Sequence, residues 1–142
     1  MTTGHIVPAT FRVRYSETDQ MGVAYHPHYL VWCEIARTEY IRQLGTPYAD
    51  LERAGIFLVV AEANVRYQAA ARYDDWIRVD AWLARVQSRA VTFGYEIVRD
   101  DSDSTRLATA TTRLIAVDRS GAICRLPAAL LRSFGELAGA QP

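Results

Sequence analysis

The sequence predicts an α+β domain: a curved antiparallel sheet of about five strands wrapped on one long helix, with a short helix near the C-terminal end. Three observations carry that prediction. Five runs alternate apolar and polar residues with a period of two, and one longer run repeats its apolar residues at intervals of three and four. The order is strand, helix, four strands joined by short connections, then helix, which suits an antiparallel sheet better than parallel βαβ units.

The elements follow in order. Phe11, Val13 and Tyr15 alternate with Arg12 and Arg14, so a first strand is expected to run through Tyr15. Tyr29, Cys33, Ala36, Tyr40 and Leu44 then recur at helical spacing, with Glu34, Thr38 and Arg42 on another side. Pro27 suits the first helical position, where its missing N–H is no loss, and Gly45 suits the far end as a cap. Residues 29–33 are apolar nearly all round, which predicts a helix that enters a core rather than lying on one.

A short helical stretch is expected at 48–54, and strands at 57–67, 76–86, 90–99 and 107–118. In the first of these, Ala61, Ala63, Val65 and Tyr67 oppose Glu62, Asn64 and Arg66. The next two carry Ile77, Val79, Ala81 and Leu83, then Val91, Phe93, Tyr95 and Ile97, each set on one face. Short connections favour an antiparallel meander, and Pro127 opens a last helix over 127–137. A sheet of this kind wrapped round one central helix is the hotdog fold.

Composition bounds the function. The 142 residues suit a single domain, 1–142, long enough to bury roughly 68–70% of its unfolded surface. Net charge is +0, so no global field favours nucleic acid or an anionic membrane. All 16 basic residues are arginine, which excludes Schiff-base, pyridoxal phosphate and Walker-loop chemistry. Cys33 and Cys124 form no closely spaced pair, so neither a disulfide framework nor a zinc site is expected. Met1-Thr2-Thr3-Gly4-His5 has no leader pattern and the aliphatic run 56–61 is too short for a bilayer, so no membrane insertion and a cytoplasmic setting are expected.

Residues 15–29 concentrate the chemistry. Asp19 can attack a carbonyl carbon or take a proton from water, although an isolated loop Asp commonly does no more than cap a turn. Gly22 permits close backbone approach, and the peptide N–H groups after Val23 open a helix N-terminus, where negative charge is favoured. His26 can act at such a site or merely bond a neighbouring backbone group. Asp19, His26 and His28 make a poor metal set, because residues two apart on a helix do not face one another. No Gly-x-Ser-x-Gly, Gly-x-Gly-x-x-Gly or His-Glu-x-x-His pattern occurs, and Cys33 reads as a core residue.

The run Val13-x-Tyr15-x-x-Thr18-Asp19-x-x-Gly22-Val23-x-Tyr25-His26-x-x-Tyr29, followed by Glu34-x-x-Arg37-x-Glu39, closely resembles acyl-CoA thioesterases of the YbgC and 4-hydroxybenzoyl-CoA thioesterase type. The resemblance continues through Val65-x-Tyr67, Ala71-Arg72-Tyr73-Asp74-Asp75, Ser88-Arg89 and Arg125-Leu126-Pro127, about residues 8–135. It implies hydrolysis of an acyl-CoA without metal or other cofactor, coenzyme A being part of the substrate. It also implies a hotdog subunit that self-associates as a dimer or tetramer, with sites at the dimer interface.

Asp19 would be the nucleophile or general base, a helix-start amide near Tyr25 or His26 the oxyanion donor, and Tyr15 and His26 would line the reacting centre. Gly22, Val23, Arg72, Ser88 and Arg89 would bind substrate, the two arginines at coenzyme A phosphates. Met21, Tyr29, Trp32 and Phe57 are candidates for the acyl pocket. The chain departs from the family at Ala70, where proline is frequent. A hotdog enoyl-CoA hydratase and a non-catalytic acyl-CoA binder are the competing readings; no Asp-x-Asn-Pro-x-His signature supports the first, and the intact Asp19-x-x-Gly22 loop speaks against the second.

Overall fold

The computed structural model describes residues 5–138. Strand β1 (Ile6–Arg12) leads through a 3-10 turn (Tyr15–Glu17) and a loop into α1 (His28–Arg42). Helix α2 (Thr46–Arg53), strands β2 (Phe57–Tyr67), β3 (Trp76–Val86), β4 (Ala90–Arg99) and β5 (Arg106–Val117), and helix α3 (Ala128–Ala138) follow. The strands form one antiparallel sheet in the order β1-β3-β4-β5-β2. Among the described residues no helix is long and apolar enough to cross a membrane; residues 1–4, where a leader pattern was sought, lie outside them.

The core is where the period-two runs put it. Ile77, Val79, Ala81 and Leu83 of β3 and Val91, Phe93, Tyr95 and Ile97 of β4 are all buried. Helix α1 packs chiefly on β1 and β3 and buries Tyr29, Trp32, Cys33, Ala36 and Tyr40. Tyr40 meets Phe93 edge-on with ring centroids 5.4 Å apart, and Trp32 lies 5.7 Å from Phe11. Each fully buried large apolar side chain of this kind contributes about 1.5–3 kcal/mol. The Tyr95 hydroxyl and the Thr112 hydroxyl, both buried, satisfy one another at 2.7 Å.

Four expectations are corrected. The first strand ends at Arg12 rather than continuing to Tyr15. Val13 turns to exchange backbone bonds with the 74–75 segment, and the Glu17 carboxylate accepts the Arg14 N–H at 2.8 Å, which winds the chain into the 3-10 turn. The meander holds only for β3, β4 and β5. Strand β2 instead crosses to the outer edge of β5, because residues 68–71 are tied at one end to the Leu107 carbonyl and at the other to Ala24 and Tyr29.

Gly45 does not close α1, which ends at Arg42; its φ of +66° lies at the N-terminal boundary of α2. Finally, the 29–33 stretch is not enclosed. Trp32 and Cys33 point inward, but Leu30 and Val31 are exposed, as are Ile35 and both faces of most of β2. An apolar helix face thus stands beside an unpaired sheet edge.

Candidate active site

The loop between the 3-10 turn and α1 is a small, fully specified structure. Asp19 donates its N–H to the Val23 carbonyl at 2.9 Å, and Gly22 donates back to the Asp19 carbonyl at 3.0 Å. Gly22 has φ of +80°, yet nothing lies within 4 Å of where a Cβ would be. The glycine is needed for the left-handed turn, not for room. One Asp19 oxygen accepts the Met21 N–H at 2.9 Å, the turn-capping arrangement available to any loop Asp. Its other carboxylate oxygen meets no donor among the described residues.

Glu17 anchors this loop from below. Its side chain is 3% exposed and accepts the Arg14 N–H at 2.8 Å and the Trp32 indole N–H at 3.0 Å, while Arg14 Nη2 stands 3.4 Å away. Burial pushes this carboxyl up, but the bonds from Arg14 and Trp32 outweigh it and hold the group below its ordinary value. The Glu17 carbonyl in turn accepts the Tyr25 N–H at 2.7 Å. Ala24 is tied to Ala71, and the Ala71 N–H reaches the buried Tyr29 hydroxyl at 3.1 Å. In place of a stiffening proline at position 70, the Arg99 guanidinium holds the Ala70 carbonyl at 2.7 Å and Asp75 at 3.1 Å.

Accounting for each N–H from Gly22 to Leu30 isolates the electrophilic end of the loop. Tyr25 is spent on Glu17, His28 on the Tyr25 carbonyl, Tyr29 on His26 and Leu30 on Pro27, which itself has no N–H. Only Val23 and His26 keep N–H groups without an acceptor among the described residues. The His26 amide lies just ahead of the Pro27 cap of a 15-residue helix, on the side where the helix dipole favours negative charge. Of the two amides expected from sequence, His26 is therefore the available one.

Beside it lies an open cavity of about 350 Å³ lined by Ala24, His26, Tyr29, Tyr67, Gln68, Ala69 and Ala70. Asp19 is not among the lining residues, nor is Met21, Trp32 or Phe57. Tyr15 is 77% exposed and rests edge-on against Tyr73; the half-exposed Tyr25 ring lies 5.1 Å from His26 and 6.2 Å from His28. Arg72 leans back over the loop, its guanidinium 3.5 Å from the Gly22 carbonyl. Cys33 is buried and its thiol is pushed up to about 12 by that burial, although Arg37 pulls the other way. It is no nucleophile.

The fold thus gathers Tyr15, Asp19, Gly22, Val23, Tyr25, His26 and Arg72 around one loop. It leaves Ser88 and Arg89 elsewhere. Those two occupy the β3–β4 turn, tied to Leu126 and Ala116, and Ala116 pairs with Leu58 at the opposite end of β2 from Tyr67. Sequence reasoning missed Glu17 and the Trp32 indole as anchors; the only available signal was the Arg14-x-x-Glu17 spacing. Among the described residues no group of three or more His, Cys, Asp or Glu side chains is placed to hold a metal ion.

A curved antiparallel sheet on a central helix, with an acidic loop feeding that helix's N-terminus, makes this a hotdog-fold protein of the thioesterase class. Residues 13–134 match the thioesterase-like superfamily. YneP of Bacillus subtilis is 35% identical over 115 residues, 81% of this chain and 82% of that protein. The acyl-CoA thioesterase YbgC of Haemophilus influenzae is 35% identical over 108 residues, 75% of this chain and 77% of that protein. The solved DHNA-CoA thioesterase of Staphylococcus aureus superposes with a TM-score of 0.78 at 34% identity, over 85% of this chain and 80% of that one. The chain belongs to the thioesterase-like superfamily, and it is a thioester hydrolase.

Proposed function

We propose that this chain hydrolyses acyl-CoA thioesters to a free acid and coenzyme A, with Asp19 supplying the carboxylate and the His26 N–H stabilising the oxyanion. The observation that carries the reading is the unspent His26 N–H at the start of α1, next to a turn whose carboxylate keeps one oxygen free. Negative charge moves onto the thioester oxygen as the carbonyl carbon becomes tetrahedral. A fixed amide aimed at that oxygen contributes on the order of 3 kcal/mol to the transition state.

Two routes fit. Asp19 attacks the carbonyl carbon, expels the thiolate and leaves a mixed anhydride that water cleaves; or Asp19 takes a proton from a water molecule that attacks directly. Either route needs water and no other co-reactant. The names of the relatives, acyl-CoA thioesterase and DHNA-CoA thioesterase, support coenzyme A as the leaving group. Arg72, beside the loop, is the local candidate for a phosphate contact, since its planar fork suits that geometry.

The active form in this reading is at least a dimer. Strand β2 is an unpaired edge of 11 residues with Val59 and Val60 exposed, and it flanks the exposed Leu30, Val31 and Ile35 of α1. Antiparallel pairing of β2 with the same strand of a second copy, about a twofold axis, sets the start of one strand against the end of the other. The Ser88-Arg89 turn of the second copy then approaches the Tyr67 end of the first.

The test is a thiol-release assay over a panel of acyl-CoAs of different chain length and aromaticity, compared as kcat/KM. Release of one thiol per acid formed is the expected result. Tight acyl-CoA binding with no thiol release would replace this reading with a binding module.

A further inference from the structure

We propose that Tyr67 is a positioning residue for hydrolysis: from the sheet-edge strand β2 its hydroxyl holds the His26 carbonyl and so steadies the residue that presents the His26 N–H, an inference that rests on that N–H being the oxyanion donor. The Tyr67 hydroxyl donates to the His26 carbonyl at 2.9 Å across 41 residues of sequence. Its ring stands edge-on to His26 at 6.0 Å and to Tyr29 at 5.0 Å, so the phenol is braced on two sides. Burial and the nearby Tyr29 and Cys33 raise its pKa, so the donor proton is retained at neutral pH.

Two peptide planes meet at the His26 Cα, and their orientations decide where its N–H points. The plane before it is held by one bond, from the His28 N–H to the Tyr25 carbonyl at 3.0 Å; in a trans peptide the His26 N–H then points the opposite way, out of the helix entrance. The plane after it ends in the His26 carbonyl, which accepts the Tyr29 N–H only at 3.2 Å. Pro27 contributes no donor of its own. The Tyr67 bond is thus the shorter of two restraints on that carbonyl, and the one that comes from outside the helix. Without it, His26 can rock about its flanking bonds, and a small misdirection of an oxyanion donor is costly to rate but not to substrate affinity.

The substitution Tyr67→Phe removes the hydroxyl and keeps the ring. The expected result is a fall in kcat of roughly five- to tenfold with KM changed by less than about twofold, and an unchanged oligomeric state. A purely structural role would not produce that split. A second readout uses the Asp19→Asn background, in which a bound acyl-CoA stays intact. There the infrared stretch of the thioester carbonyl is expected at lower frequency than in water, and adding Tyr67→Phe is expected to return part of that shift.

Three outcomes overturn the proposal, and they are distinguishable. If Asp19→Asn turns over at the wild-type rate, the catalytic reading of the loop fails and this inference falls with it. If the carbonyl stretch in Asp19→Asn matches that in water, the oxyanion assignment fails. If the stretch is shifted and Tyr67→Phe changes neither it nor kcat, the site reading stands and the role of Tyr67 alone is wrong.

Discussion

The indole N–H of Trp32 donates to the Glu17 carboxylate at 3.0 Å, joining the buried face of α1 to the turn that precedes the Asp19–His26 loop. Glu17 lies two residues before Asp19, and its carbonyl holds Tyr25, the residue just before His26. A single buried residue therefore fixes both ends of the loop, one through its side chain and one through its backbone. The position of the loop against the helix is set in the protein interior.

Replacing Glu17 with alanine leaves the Arg14 N–H and the Trp32 indole N–H without an acceptor. The indole N–H is buried, and such an orphan costs about 1–3 kcal/mol; the Arg14 N–H is only part-buried and can find water. Glu17→Ala is expected to lower the urea midpoint and to depress kcat, although Glu17 touches no substrate. The pH dependence has a definite sign. The folded-state pKa of Glu17 lies below its ordinary value of 4.5, so its contribution is complete above that value and is lost as pH falls through the lower folded value. Urea midpoints measured from neutral pH downward should show a smaller acid loss for Glu17→Gln than for wild type. Parallel curves for the two proteins would remove Glu17 from the acid transition.

Asp19→Asn is the informative change at the proposed reacting centre because the turn survives it. The asparagine carbonyl can still accept the Met21 N–H that Asp19 Oδ1 accepts at 2.9 Å, and Gly22 still supplies φ of +80°. The fold and its thermal midpoint are expected to be unchanged, while turnover of a good acyl-CoA falls by roughly 10³-fold or more, as when an acting group rather than a positioning one is lost. Circular dichroism and thiol release measured on the same preparation check both halves. Retained turnover would leave Asp19 as a turn cap and nothing more.

How much of this was legible depends on whether the deciding force was local. The bounds of β2, β3 and β4 were readable because side-chain alternation is a local property of the strand. The place of β2 at the sheet edge was not, because pairing with β5 rather than β3 is decided by where residues 68–75 are tethered. Tyr15 shows the opposite failure: its alternation with Arg14 continued the strand pattern, but one bond from the Arg14 N–H to Glu17 turned the chain. Asp19, Gly22 and His26 could be singled out by type and spacing. That the His26 amide is free and the Tyr25 amide is not required knowing every partner in the loop.

Gly94 is held by a contact across the sheet rather than by its backbone angles. It pairs in register with Trp82, and a Cβ at position 94 would lie 2.6 Å from the indole Cε2 and Nε1. Gly94→Ala therefore forces the half-buried indole to move. Overpacking of this sort costs about 1–3 kcal/mol. The expected result is a destabilised but active enzyme, and a second change, Trp82→Leu, is expected to recover part of the loss. Additive effects of the two changes in a thermal-melt cycle would show that the indole is not what the methyl group meets.

The exposed strip formed by β2 and α1 makes the last prediction, because in the proposed dimer the same residues would set both assembly and activity. Val31 and Val60 line one cavity of about 300 Å³ between α1 and β2, together with Leu30, Glu34, Arg37, Ala63 and Thr112. In an isolated chain Val60→Arg lies at a half-exposed edge position and is expected to change stability by no more than about 0.5 kcal/mol. In a dimer that pairs this edge, the added guanidinium is buried without a counter-ion, which costs about 3–5 kcal/mol and raises the dissociation constant more than a hundredfold. Sedimentation should then show a folded monomer at concentrations where wild type self-associates. Its activity should fall as well if the proposed dimer is the active form, since the Ser88-Arg89 turn sits at the far end of the sheet from His26 within one chain and would reach the cavity from the second copy. Undiminished association of Val60→Arg would place the interface on another face, and a fully active monomer would show that one chain holds the whole site.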